Sequence, residues 1–212
     1  MEKLRGGSDQ MRRREGGRYR PTRLDASCRF APAKLLALLL FLHALAGAQA
    51  PALTETQIKA GFLFNFTKFV EWPADAFADA GSPIVLGIVG EDPFGDLLTQ
   101  AVAGKTVNGR TVLLRHFKED QNLQACNILF IGASEGGHVA RILEKLRGSS
   151  VLTVGETDNF AQQGGIINFA IEENKVRLQI NLEAASRARV KISAKVIAVA
   201  RLVTDNPRRE KS

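Results

Sequence analysis

Cysteine, histidine and tryptophan are scarce in this 212-residue chain, with two, three and one copies respectively. Two thiols, Cys28 and Cys126, cannot build the dense cross-linking that holds small secreted scaffolds together. The histidines are scattered, and no His/Cys cluster shows the spacing of a metal site. Long apolar runs are missing too. Leu35 to Leu45 is too short to span a bilayer comfortably, and nothing after residue 50 is apolar for long enough to be a transmembrane helix. There is no internal repeat and no low-complexity linker.

What is present at the start reads as a leader. Arg12, Arg13, Arg14, Arg18, Arg20, Arg23, Arg29 and Lys34 precede the apolar run, and Ala48-Gln49-Ala50 fits the small-residue cleavage rule. Residues 1–50 are expected to be a signal peptide cut near Ala48 or Ala50, with Met11 or a later residue as an alternative start. Arg12-Arg13 lies far from the apolar run, and no cysteine follows that run closely enough for a lipid anchor. The expected product is soluble, exported and periplasmic. The chain carries a net charge of +7, but ten Lys/Arg and four Asp/Glu lie in the leader, leaving nineteen against eighteen, or +1. The basic pI therefore belongs to the leader and does not mark a nucleic-acid surface. Cys28 leaves as well, so Cys126 stands alone and reads as a small buried hydrophobe.

The remainder, about 160 residues, suits one domain with one core, 51–203, followed by a charged, mobile tail at 204–212. Its organising stretch is Thr54 to Pro73. Thr54 and Gln57 form a capping box, Ile58, Phe62, Phe66, Phe69 and Val70 recur at helical spacing, and Pro73 stops the helix. Five of the eleven aromatics after residue 50 lie here. The rest of the core is expected to pack on this helix, and its Asn65/Glu71/Trp72 end to line a binding surface.

Downstream, Ile84–Val89, Asn127–Gly132 and Val151–Val154 read as buried parallel strands, and Thr111–Phe117 as a further strand. Phe94–Val102, Glu119–Ala125 and His138–Arg147 read as helices between them. Asn108-Gly109 marks a short hairpin. Gly165–Ile171 and Val176–Leu182 alternate as an antiparallel hairpin, and Ser193–Val203 is expected as a closing apolar helix. The fold class is α/β: a three-layer sandwich with a mostly parallel central sheet, a C-terminal antiparallel hairpin and a closing helix.

Catalytic motifs fail one by one. Gly132-Ala133-Ser134-Glu135-Gly136 has the G-x-S-x-G form of a nucleophile elbow, but the last histidine, His138, follows only four residues later, and His116 precedes the serine. Ser134 reads instead as the cap of the following helix. Gly90 to Gly95 begins like a P-loop, yet Asp96-Leu97 stands where Lys and Ser/Thr are needed, and an acid there repels phosphate. No acid/base constellation is found. The chain is read as a non-enzyme without a cofactor or metal.

Four stretches together resemble the YfiR family of small periplasmic proteins: 62–73 (FLFNFTKFVEWP), 86–95 (LGIVGEDPFG), 107–112 (VNGRTV) and 151–181. The specific parts are Trp72-Pro73 and the run Phe160, Gly164-Gly165, Asn168-Phe169 and Asn181. The resemblance implies a regulator that binds the periplasmic domain of an inner-membrane diguanylate cyclase and holds it inactive, itself sequestered by an outer-membrane lipoprotein. The best-known member carries structural disulfides, which a single Cys126 cannot form. The alternative is a periplasmic module binding a small ligand in a pocket, with a Ser134 hydrolase a distant third; a homodimer is compatible with either. The expected partner contacts are Glu71, Trp72, Asn159, Phe160 and Gln163.

Overall fold

A computed structural model describes residues 53–206. The expected signal peptide and residues 207–212 of the tail lie outside them. Helix α1 (Glu55–Phe69) begins where the capping box requires: Thr54 Oγ1 accepts from Gln57 N–H, and Gln57 Oε1 accepts from Thr54 N–H. Strand β1 (Val70–Glu71) continues it, and β2 (Ile84–Val89), α2 (Asp96–Val102), β3 (Thr106–Val107), β4 (Arg110–Phe117) and β5 (Ile128–Ile131) follow. Then come α3 (Val139–Lys145), β6 (Leu152–Gly155), β7 (Ile167–Glu172), β8 (Lys175–Asn181), α4 (Leu182–Arg187), β9 (Lys191–Ile192), α5 (Ala194–Ile197) and β10 (Ala200–Val203).

Eight strands form one sheet in the order β10-β8-β7-β6-β5-β2-β4-β3, while β1 and β9 pair separately. The β10–β8, β7–β6, β6–β5, β5–β2 and β2–β4 pairings are parallel; β8–β7 and β4–β3 are antiparallel. The mostly parallel sheet and the hairpin at β7–β8 match the expectation. The tight turn between them places Glu173 and Asn174 at positive φ.

Each central strand is buried on both faces, so its alternate side chains enter two separate cores. Ile84, Leu86, Ile88, Ile128 and Phe130 pack with Leu63 and Phe66 of α1 and Leu98 of α2. Val85, Val89, Leu129 and Ile131 pack with Val139 and Ile142 of α3 and with Cys126. Helix, sheet and helix make the three layers.

Several elements differ from the sequence expectation. The closing helix is a single turn, α5, and Ala200–Val203 is a strand. The antiparallel hairpin leaves one edge of β8 open, and the apolar stretch ending in Leu202-Val203 extends to satisfy that edge rather than coiling. Glu119–Ala125 holds only a 3-10 turn, Leu123–Ala125. Helix α2 starts at Asp96 because Asp92 Oδ1 accepts from Phe94 N–H at 2.7 Å and turns the chain first. The buried face of α1 is also rotated: Lys59, Ala60, Leu63, Phe66 and Thr67 are buried, whereas Phe62 and Phe69 only rest on the core.

Candidate functional site

In an open α/β sheet the usual ligand site is the crevice beyond the carboxyl ends of the strands, where the chain direction switches sides. Here that point lies beyond β2 and β5, and the two loops there are bonded to each other. Gly90 takes φ +86°, and a Cβ there would sit 2.6 Å from Ser134 Oγ. Ser134 Oγ accepts from Glu91 N–H at 2.8 Å. The serine therefore ties the β2 and β5 loops together; it does not cap α3, whose preceding residue is His138, with no side-chain cap bond. Glu156 seals the next position, accepting from Ala133 N–H at 3.2 Å and from Lys59 Nζ at 2.8 Å. Burial pulls the Lys59 pKa down, but the hydrogen bonds it donates to Glu156 and Glu55, with their negative charge, outweigh it and the net direction is up.

The two described histidines are engaged elsewhere. His116 Nε2 lies 2.8 Å from Asp92 Oδ2, and His138 Nδ1 lies 2.9 Å from Glu135 Oε2. Glu119, Glu135 and His138 do come together, a grouping that the scattered sequence positions hide. Arg141 already neutralises Glu119, donating to its Oε2 at 2.6 Å, and Lys145 Nζ lies 3.8 Å from Oε1, which weakens that carboxylate as a cation ligand. The Cys126 thiol is buried, donates to Leu123 O and is pushed up to about 12 by desolvation, so it stays a neutral hydrophobe as expected.

The five expected contact residues separate into two groups. Glu71 is exposed in β1 and pairs with Lys191 of β9. Trp72 is half-buried: its indole N–H donates to Asn127 O at 3.1 Å, and its ring meets Phe77 edge-on at 6.4 Å. Asn127 is itself a clasp at the amino ends of the strands. Its Oδ1 accepts from Val85 N–H, its N–H donates to Val85 O, and its C=O accepts from Leu152 N–H.

The loop 156–166 carries the second group. Asn159 is exposed at positive φ and Gln163 is exposed. Phe160 is not a contact residue: it is fully buried. Its ring lies flat on Gly155 and Gly165, where any Cβ would come within 2.5 and 2.1 Å of it. Those two glycines exist to admit the ring, and the ring seals the α3-side core beneath the loop. Asn181, also fully buried, ties the surroundings together. Its Nδ2 donates to Ala161 O at 2.8 Å and to Asp205 Oδ1 at 2.6 Å, and its Oδ1 caps α4 through Ala184 N–H. Asn206 N–H donates to Gln162 O at 2.9 Å. Residues 204–206 of the expected tail are thus fastened to the domain.

Between this loop, the end of α3 and α4 runs a groove of about 640 Å³. Its apolar lining includes Leu143, Leu146, Val151 and Ile166; its polar lining includes Gln162, Gln163, Arg147 and Arg187. Arg187 Nη1 pairs with Asp205 Oδ2 at 2.8 Å, and Gln162 Oε1 is buried without a hydrogen-bond partner. The groove and the Trp72 end share one segment. Arg187 and Ala188 line the groove, Arg189 bonds Asp75 and Ser150, and Lys191 lies opposite Glu71. Gln162, Arg187 and Asp205 escaped sequence reading, because neither their spacing nor any motif marks them before the β8–α4 corner and the chain's end are brought together.

Comparison with known proteins bears on the family. A conserved domain protein from Vibrio cholerae O1 biovar El Tor is similar at 12% identity and a TM-score of 0.46, covering 72% of this chain and 61% of that one. An ABC domain in complex with L-Trp from Streptococcus pneumoniae is similar at 7% identity and a TM-score of 0.49, covering 71% and 61%. The chain thus spans about three fifths of each of those structures. The YfiR/HmsC-like family model matches residues 56–201, from the second residue of α1 into β10. The chain belongs to the YfiR/HmsC-like family.

Proposed function

We propose that this protein is an exported repressor that binds the periplasmic part of an inner-membrane diguanylate cyclase and lowers its output of cyclic di-GMP. The observation that carries this reading is the family match along nearly the whole domain, 56–201. Two features of the molecule support it. The loops at the strand ends where an α/β fold would hold a substrate are tied to one another through Ser134, Glu91 and Glu156. Elsewhere, the segment 187–191 runs from Arg187, which lines the groove with Gln163, to Lys191, which lies opposite Glu71 beside Trp72. With a net charge of +1 after the leader, long-range steering is weak, and binding rests on apolar contact with a polar rim. An outer-membrane lipoprotein that sequesters the repressor, and a homodimer, are compatible with this surface.

The test is deletion of the gene with measurement of cyclic di-GMP and biofilm mass, followed by restoration with wild type and with Trp72→Ala. Deletion is expected to raise both, and Trp72→Ala to restore them incompletely. No change on deletion, under conditions where the protein is expressed, sinks the cyclase reading. Export has its own check: N-terminal sequencing of the mature protein should begin near Gln49 or Pro51, and an intact leader in the cytoplasm refutes it.

A second reading, a small-ligand module, is favoured by the buried, unpartnered Gln162 Oε1 in the groove. A compound that raises the melting temperature of wild type, but not of Gln162→Leu, would bring it forward.

A further inference from the structure

The two edges of the large sheet are not alike. At one end β10 is four residues long, and Arg201 on it pairs with Glu172 at 3.0 Å. At the other end β3 covers only the start of β4, pairing Thr106 with Thr111 and Val107 with Arg110. Val112 N–H still donates across, to Lys105 O at 2.9 Å. Because backbone groups alternate sides along a strand, Leu114 and His116 turn their N–H and C=O the same way as Val112. No strand lies opposite them among the described residues, while their neighbours Leu113, Arg115 and Phe117 face β2.

This open edge breaks the usual rules for a protected one. From Leu113 to Phe117 it contains no proline and no bulge, and Leu113 is 39% exposed. Its guard is mainly cationic charge, although the Asp92 carboxylate lies 2.8 Å from the His116 ring. Residues 103–118 contain Lys105, Arg110, Arg115 and Lys118 and no Asp or Glu. Arg110 is used internally, donating to Asp79 O and Ser82 O and stacking 3.9 Å from the Phe77 ring centroid. Lys105, Arg115 and Lys118 pair with no carboxylate among the described residues. Cations along an edge repel a second copy of the same edge and attract a strand of opposite sign.

We propose that the open edge of β4 is a docking rail for an extended, acidic peptide segment of another protein, which adds to the sheet as an extra strand through Leu114 and His116. Main-chain hydrogen bonds supply the attachment, and the cations at 105, 115 and 118 select the acidic sequence. The inference is independent of the proposed repressor role, and its residues, Leu114 and His116, are distinct from Glu71, Trp72 and the groove lining.

The probe is a synthetic octapeptide alternating valine and glutamate, titrated into isotopically labelled protein and followed by amide chemical shifts. The expected result is saturable perturbation centred on Leu114 and His116, weakened by salt and absent with the valine–lysine counterpart. Arg115→Glu combined with Lys118→Glu lies on the exposed side of the edge, and it should weaken binding by about tenfold with the amide spectrum otherwise native. No perturbation up to about 1 mM peptide overturns the proposal, as does equal binding of the lysine peptide or perturbation confined to another surface. Sedimentation showing a dimer that Arg115→Glu dissociates would assign the edge to a second copy and also overturn it.

Discussion

The two faces of the central sheet solve the same packing problem differently. On the α1 face, aromatic rings fill the space. Phe94 meets Phe130 edge-on at 4.9 Å, Phe66 stacks on Phe169 at 6.3 Å, and Phe62 stacks on Phe66 at 6.2 Å. On the α3 face the filling is aliphatic, with one fully buried ring, Phe160, and part of the surface remains an open groove. Large rings bury much area per residue and close a layer with few side chains. Smaller side chains under a short helix leave room. Rings close the α1 face, and the α3 face keeps the groove that forms part of the proposed contact surface.

Breaking the sealed face should cost the most. Phe66→Ala removes a fully buried ring at the centre of the aromatic stack and should lower stability by about 3–5 kcal/mol, read from the denaturant midpoint. An unchanged midpoint would show that α1 is not the organiser of this core. On the other face, Gly165→Ala forces a methyl against the Phe160 ring. About 1–3 kcal/mol is expected, the cost of overpacking a tight site. A loss as large as that of Phe66→Ala would erase the distinction between the faces. The smallest effect on stability belongs to the groove rim. Arg187 is more than half exposed, so Arg187→Gln should change stability by less than about 0.5 kcal/mol. The same substitution should impair repression in the deletion strain, measured as cyclic di-GMP. Full repression by this variant would move the contact surface away from the groove.

Much of this architecture was legible in the residues. Periodicity marked α1, and the capping box at Thr54 and Gln57 set its first turn. Continuous apolar runs bounded by turn residues marked β2, β5 and β6, which lie buried in the middle of the sheet. The end of the chain was not legible, because an apolar stretch such as Val196–Val203 suits a buried helix or a strand equally, and only the open edge of β8 decides between them. The rotation of α1 was hidden for a related reason. Lys59 counts as polar in any hydrophobic pattern, yet Glu156, distant in sequence, neutralises it and lets it be buried. Phe160 misled in the other direction: a lone aromatic in a polar loop reads as a surface anchor, and the glycines that receive it are informative only once folded.

Trp72 is the only tryptophan in the chain, and its indole N–H is bonded to the residue that clasps β2 and β5 to β6. Its emission is therefore a label the molecule already carries. Loosening of the strand ends, or a protein seated on the Glu71 end, alters the polarity around a half-buried indole and shifts its wavelength. The groove lining includes neither Trp72 nor its partners Phe77 and Asn127, so occupancy there is expected to leave the emission unchanged. Steady-state fluorescence of the unmodified protein can thus tell which surface a newly isolated partner engages, before any variant is made.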